Sequence, residues 1–346
     1  MKAALAHSFG PPRSLVTADV PDPVAGPAEV LIEVAAAGVN FPDLLVVAGT
    51  YQILPPPPFT PGKEVAGIVR AVGEGVDRVA VGDRVVAQLE HGGYAELVAV
   101  PQAQVVSLPD GASFIDGAAL GLAALTAHFA LVRRAGLRPG ETVLVTGASG
   151  GVGAAGVQIA KALEATVLAV VRDEEQAVAA KAQGADHVLL AGPSMRDEVK
   201  ALTRGRGADV VLEMVGGDVF AQALRSTAWE GRLVVIGFAS GDLPLVKAGH
   251  VLVKNISVMG LQVSDYRDRE PESMRTVLAD LLRLHVEGRL TVPVVRTYPL
   301  ELAGEALEAI RSKAVTGKVV LTCRPSEERD RDLSPDGPDG TLTPWR

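Results

Sequence analysis

The chain has 346 residues, 48% of them apolar, and a formal charge of −8, enough length and apolar content for two domains with full cores. The absence of a basic block argues against a nucleic-acid partner. No run reads as reaching the roughly 20 apolar residues of a bilayer span, and no leader is expected ahead of the strand that follows Met1-Lys2. The single cysteine, Cys323, excludes a disulfide within the chain and thiolate zinc clusters, and fits a reducing cytoplasm.

Residues 1 to about 115 read as mostly β, with short strands at 2–6, 29–34, 67–72 and 84–87 separated by Pro, Gly and Asp turns. Pro55-Pro56-Pro57-Pro58 reads as a stiff, extended polyproline segment that holds the Tyr51 region in place. Ser113 and Asp116 form a capping-box start, with Asp in place of Glu, to a largely buried helix reaching Arg134. His128 on that helix reads as a satisfied core histidine. From Glu141 to about Gly260, strands at 142–146, 166–171, 187–190, 209–213, 232–236 and 256–260 alternate with helices. Two of these helices, 174–183 and 218–229, are closed by Gly184 and Gly231, and Trp229 is expected to pack its helix on the sheet. Six alternating strands imply an α/β fold with one doubly wound parallel sheet. A helix over 272–288, a strand at 292–295, a helix over 301–312 and a strand at 318–322 follow. Residues 325–346 are rich in Pro, Asp, Gly, Glu and Arg, and are expected to be a disordered tail.

One stretch organises the rest. Thr142 to Thr146 is a buried-strand run, Thr146-Gly147-Ala148-Ser149-Gly150-Gly151-Val152-Gly153 a glycine turn, and Ala154 to Leu163 an apolar helix. Aligned on a dinucleotide fingerprint it reads Ala148-x-Gly150-x-x-Gly153. Gly150 would admit a pyrophosphate to the backbone and Gly153 would let the helix pack closely on the sheet. The positive helix end and its free N–H groups would then face the phosphates. Ala148, Ser149, Gly150, Gly151, Val152 and Gly153 are therefore expected to bind a cofactor. The alternative is a tight turn that needs glycine and binds nothing.

Further segments carry a resemblance. They are Ala37-Gly38-Val39-Asn40-Phe41-Pro42-Asp43, Pro61-Gly62-Lys63-Glu64-Val65-Ala66-Gly67, Val81-Gly82-Asp83-Arg84-Val85 and Gly92-Gly93-Tyr94-Ala95-Glu96. Later ones are Met214-Val215-Gly216-Gly217-Asp218-Val219-Phe220, Ala228-Trp229-Glu230-Gly231-Arg232 and Thr316-Gly317-Lys318-Val319-Val320-Leu321. With the glycine turn, the chain resembles a zinc-independent medium-chain dehydrogenase/reductase of the NADPH:quinone oxidoreductase (zeta-crystallin-like) branch. The resemblance implies a GroES-like β domain over 1–118, a Rossmann NADP-binding domain over 119–260, a return to the first domain over 261–324, and a homodimer.

Zinc enzymes of this superfamily carry Cys at the place of Asn40 and His at the place of Lys63, so no metal is expected; Glu64 and His91 are stray donors. Without a Lewis acid, a quinone or an activated C=C bond is an easier hydride acceptor than an isolated ketone. The expected activity is therefore NADPH-dependent reduction of quinones or α,β-unsaturated carbonyls. The second strand ends at Val171-Arg172. Val171 falls where an NAD site places an acid on the ribose, and Arg172 could pair with a 2′-phosphate. Asp173 and Glu174 read as helix-start acids. The family's Lys and Tyr near the phosphate are matched here by Gln176 and Leu190, and Lys313 lies near another basic position of the family. The resemblance also implies that Val215, Gly237, Phe238 and Ala239 contact the cofactor, and that Asn40 and Tyr51 line the reacting end. Asn40 would hydrogen-bond a substrate carbonyl or the nicotinamide ribose, or else satisfy its own turn. Tyr51 aligns with a proton donor of related enoyl-thioester reductases, or is an aromatic wall. Asp43 reads as a loop-fixing residue, and Lys63 as a surface charge or a substrate-side cation. An enoyl-thioester reductase and a non-catalytic NADPH-binding structural or regulatory protein are the rival readings.

Overall fold

The computed structural model describes residues 1–323; the tail expected at 325–346 lies outside the described residues. In chain order the first elements are β1 (Lys2–Leu5), β2 (Val16–Asp19), β3 (Glu29–Val39), α1 (Phe41–Val47), β4 (Glu64–Val72), β5 (Arg84–Gln88), β6 (Leu97–Pro101), β7 (Val105–Ser107) and α2 (Phe114–His128). Next come β8 (Thr142–Thr146), α3 (Gly151–Ala162), β9 (Thr166–Val171), α4 (Glu174–Ala182), β10 (His187–Leu190), α5 (Met195–Leu202), β11 (Ala208–Glu213), α6 (Gly217–Ser226), β12 (Thr227–Val235), α7 (Ala248–Lys254) and β13 (Ser257–Gly260). The described chain closes with α8 (Val263–Arg269), α9 (Pro271–Val286), β14 (Val294–Pro299), α10 (Ala303–Arg311) and β15 (Lys318–Thr322). It divides into two units, Met1–Leu122 with the residues from Ser264 onwards, and Ala123–Val263.

In the first unit a sheet runs β14-β15-β3-β4-β5-β7, with β6 also paired to β3. β3 is its spine. Val30, Ile32, Val34 and Ala36 alternate inward, as a half-buried strand requires, and from Ala36 to Val39 every residue is buried. Two register shifts against β4, at Leu31/Ile32 and Val34/Ala36, bend the strand as it approaches Asn40. α10 lays Ala303, Ala306 and Leu307 on the same core.

In the second unit six parallel strands run β10-β9-β8-β11-β12-β13. β8 is buried at all five positions, the pattern of a central strand covered on both faces. The order reverses at β8, so β8 and β11 flank the topological switch point, where ligands bind beyond the carboxyl ends of the strands. The α/β class, the β-rich first unit and the doubly wound sheet all stand as expected.

Three expectations are corrected and one is extended. The helix read to Trp229 stops at Ser226, where Ser226 Oγ and Thr227 Oγ1 donate to the carbonyls of Gln222 and Ala223. Trp229 and Gly231 belong to β12, and Trp229 is 66% exposed rather than packed on the sheet. The proline run is not one rod: it bends at Pro57-Pro58, whose peptide bond is cis. Residues 1–115 also contain a helix, α1, started by Pro42 and by Asp43, whose carboxylate accepts from the Asn40 N–H. Finally, the helical stretch Phe114–Arg134, α2 with its π-helical last turn, is long and apolar enough to cross a bilayer. Of its most apolar window 72% is buried within the protein, which marks a core helix. Ser113 caps it as expected, Oγ accepting from the Asp116 N–H at 3.0 Å, and His128 on it is half-buried.

Candidate active site

At the switch point the glycine turn is built for close approach. Gly147 has φ +62°, which an L-residue adopts at a cost. A Cβ on Gly153 would lie 2.2 Å from the Gly147 carbonyl oxygen, so only glycine lets α3 start against the turn. Gly150, at the N-cap of α3, has no side chain to cap the first turn, and it is exposed. The N–H groups of that turn are thus left to an anion. Ala148 and Ser149 are buried, with the Ala148 N–H donating to Val170 O on the neighbouring strand. Gly151 and Val152 are half-buried at the helix start.

Two more expected segments converge here. The Ala239 and Ser240 N–H groups donate to Met214 O and Val215 O at 3.0 and 2.8 Å. Loop 237–240 is therefore tied to loop 214–216, and Val215 lies beside Gly147. Gly237 and Phe238 are half-buried and Ala239 is exposed. Holding the 214–216 loop against the end of β8 is a residue the motif reading passed over, Glu213. Its buried carboxylate accepts from the Thr146 hydroxyl (3.2 Å) and from the N–H groups of Val215 (3.0 Å) and Gly216 (3.1 Å). Burial raises its carboxyl above the usual range, against the pull of these donors. The available signal was an acid at the end of a strand with no lysine or arginine near it in sequence.

Arg172 stands exposed at the end of β9, its Nε 3.0 Å from Asp173 Oδ2. Asp173 caps α4 by accepting from the Gln176 N–H at 2.9 Å, and this bond, with Arg172, holds its carboxyl below the usual range. The acid after Arg172 is therefore a cap, as read, and Gln176 Oε1 accepts from the Arg172 N–H.

In the first unit Tyr51 lies against Lys63, Asn40 belongs to a buried network with Glu64 and Lys318, and Asn40 and Lys63 each depart from one of the two readings given for them. The Asn40 amide is committed within the protein. Nδ2 donates to Glu64 Oε1 (2.9 Å) and Gly38 O (3.3 Å), and Oδ1 accepts from Lys318 Nζ (2.5 Å). Both N–H groups are used, so none is left for a substrate carbonyl. Glu64 and Lys318 form a buried ion pair at 2.6 Å, and Glu64 also accepts from the Leu122 N–H. Lys63 is 2% exposed, not a surface charge. It is ion-paired to Glu90, donates to the Glu90 carbonyl, and lies 4.5 Å from the centre of the Tyr51 ring. Tyr51 is half-buried against Ala6, Val46 and Phe59. Asp43 fixes the loop as read, accepting from the Asn40 N–H and the Tyr94 hydroxyl at 2.9 Å each. Burial pushes its carboxyl up to about 6, against the pull of Lys63 and these hydrogen bonds, and the Tyr94 phenol is raised well above its usual value. Lys313 is exposed after α10 with φ +57°.

This donor set does not fit zinc. A charged ammonium has no lone pair to give, and Asn40 and Glu64 are spent on Lys318. Among the described residues no group of three His, Cys, Asp or Glu is placed to hold a metal ion. Glu64 is buried in its ion pair and His91 is exposed.

A β unit joined to a doubly wound sheet with a glycine cradle at its switch point defines a two-domain dehydrogenase or reductase. Residues 26–110 match the family model described as alcohol dehydrogenase GroES-like domain, and 151–282 the one described as zinc-binding dehydrogenase. The chain is 38% identical to quinone oxidoreductase-like protein 2 of Mus musculus, over 88% of this chain and 87% of that protein. The solved structure of Escherichia coli quinone oxidoreductase complexed with NADPH is 30% identical, with a TM-score of 0.87, over 93% of this chain and 100% of the other. A mycobacterial protein complexed with NADPH is 33% identical, with a TM-score of 0.88 and the same coverage. The chain belongs to the quinone oxidoreductase family of medium-chain dehydrogenases/reductases and is an oxidoreductase.

Proposed function

We propose that this protein reduces quinones or α,β-unsaturated carbonyls with NADPH, by hydride transfer and without a metal. The observation that carries the reading is the uncapped, exposed start of α3 behind a turn that only glycine can make. Relatives crystallised with NADPH support the same choice of cofactor. The N–H groups of Gly151 and Val152 would hold the pyrophosphate, Arg172 the 2′-phosphate, and Val215 with Gly237, Phe238 and Ala239 the nicotinamide end. When bound, NADPH supplies the hydride. Quinones and enones suit such a site because the charge that develops on hydride arrival spreads onto conjugated carbonyl oxygen and needs no Lewis acid.

Tyr51 is the proton donor in this reading. An enone that has received hydride is an enolate and still needs a proton, which a phenol within hydrogen-bond reach provides. A hydroquinone anion takes its proton from water after release. Asn40 contributes by holding the loop through Asp43, Glu64 and Lys318 rather than by touching substrate. The single Cys323 is consistent with a reducing cytoplasm as the setting.

The test is NADPH oxidation measured against a simple quinone, an enone and an enoyl-CoA. Turnover of the first two supports the proposal. Turnover of the enoyl-CoA alone favours a thioester reductase, and tight NADPH binding without any turnover favours a regulatory role. Tyr51→Phe is expected to slow enone reduction by about 10²–10⁴ and to leave quinone reduction within a few-fold. Equal loss with both acceptors would make Tyr51 a packing residue.

A further inference from the structure

An ion-pair cluster with two buried cations, Lys63 and Arg267, lies against Tyr51. Lys63 Nζ is held from one side by Glu90, through both its carboxylate and its main-chain carbonyl. Glu90 is held in turn by Arg267 Nη1, 3.0 Å from Oε2, and Arg267 is clamped by Asp268 through two bonds of 2.7 and 2.9 Å. Lys63 and Arg267 are both buried. The ammonium is therefore fixed, and the free side of its tetrahedron meets the face of the Tyr51 ring at 4.5 Å. Tyr51 lies on a stretch without regular secondary structure, Tyr51 to Pro58, and its ring packs on Ala6, Val46 and Phe59 as well as on this ammonium. A cation under an aromatic face is attracted by the ring quadrupole, more strongly where water is excluded.

We infer that Lys63, locked by Glu90 and Arg267, is a positioning residue that holds the Tyr51 phenol in place to protonate the product of hydride transfer. This rests on the reading of Tyr51 as proton donor. No N–H of Lys63 is left over for substrate, since Glu90 takes two and the ring faces the third.

The experiment uses the full chain labelled with 3-fluorotyrosine, whose four tyrosines give resolvable ¹⁹F signals, that of Tyr51 being assigned by its loss in Tyr51→Phe. Lys63→Met is expected to shift and broaden the Tyr51 signal, to cut enone reduction tenfold or more, and to leave quinone reduction within threefold. Lys63→Arg, which keeps the cation and guards against misfolding, is expected to restore most of both the signal and the rate. In Tyr51→Phe, adding Lys63→Met should cause little further loss of enone reduction. An unchanged Tyr51 signal in Lys63→Met, or equal loss with both acceptors, overturns the inference. A moved signal together with a Tyr51→Phe protein that reduces enones normally leaves the positioning intact and instead sinks Tyr51 as the donor.

Discussion

Asp43 is an acid held where its charge is poorly solvated, and this makes the protein's stability depend on pH. Its carboxyl titrates at about 6 in the folded protein against a usual 3.8, burial outweighing Lys63 and two hydrogen bonds. The folded state therefore binds more protons between these values, so Asp43's contribution falls as pH rises from about 4 to 6. The size is on the order of 3 kcal/mol. Urea unfolding across pH 4–7 should show this slope in the parent and lose it in Asp43→Asn; identical slopes would count against a raised Asp43. Arg172 carries a second residue-scale prediction. A charge-assisted hydrogen bond is worth about 1.5–3 kcal/mol, so Arg172→Ala should weaken NADPH about tenfold or more while NADH is unaffected. Equal affinities for the two cofactors in the parent would show the strand end to be misread. Sequence spacing exposed Asp43 as a loop acid and Asp173 as a cap because both act on neighbours three residues away. It misplaced Lys63 and Asn40 because their partners lie far along the chain: Glu90, itself held by Arg267, for one, Glu64 and Lys318 for the other. Burial of a charge depends on the arrival of its counter-charge, which local pattern does not report.

At the scale of elements, the strand–turn–helix of β8 and α3 separates two uses of glycine. A Cβ on Gly153 meets backbone at 2.2 and 2.7 Å, whereas one on Gly150 meets its nearest atom, Gly147 O, at 3.4 Å. Gly153→Ala should therefore destabilise the second unit and lower Tm by several degrees. Gly150→Ala should melt near the parent yet bind NADPH less tightly, because the added methyl lies where the backbone must approach a pyrophosphate. Calorimetry and a fluorescence titration of both variants check this; a Gly150→Ala protein with unaltered affinity would remove Gly150 from the cofactor site. The parallel strands were legible within a residue or two since each is a short apolar run bounded by turns, and the inner strands β8, β9 and β11 are buried on both faces. β12 was not. Its pairing with β11 jumps from Ala208↔Thr227 to Val210↔Arg232, so residues 228–231 loop out of register, with Glu230 at φ +56°. That excursion breaks the period-two pattern and makes the first half of the strand read as the end of a helix. α1 was missed for another reason: at seven residues it is too short for helical periodicity to emerge.

For the molecule as a whole, the order of elements carried the architecture, since β-rich, alternating and mixed stretches follow one another along the chain. Association is less visible in a pattern, but the second unit presents the means for it. Among the described residues β13 is the terminal strand of the sheet and pairs only with β12, which leaves one side of its ladder open. Its four residues range from half-buried to exposed. Four residues cannot bury the roughly 800 Å² per partner of a stable interface. The helix immediately before it supplies more surface: every residue of α7 is exposed or half-buried, and Leu252 and Val253 are 77% and 80% exposed. Leu243 and Leu245, on the approach to α7, are exposed as well. A two-fold axis beside β13 would pair the strand with its own copy and cover these apolar side chains in an isologous contact. The protein is therefore expected to be a homodimer, with a light-scattering mass twice that of the chain at micromolar concentration. Leu252→Glu with Val253→Glu should shift it to monomer while leaving its circular dichroism and melting cooperativity unchanged, because neither side chain is packed in the protomer. A parent that scatters as a monomer would leave the β13 edge unpaired, and a double variant that remains a dimer would move the interface away from α7.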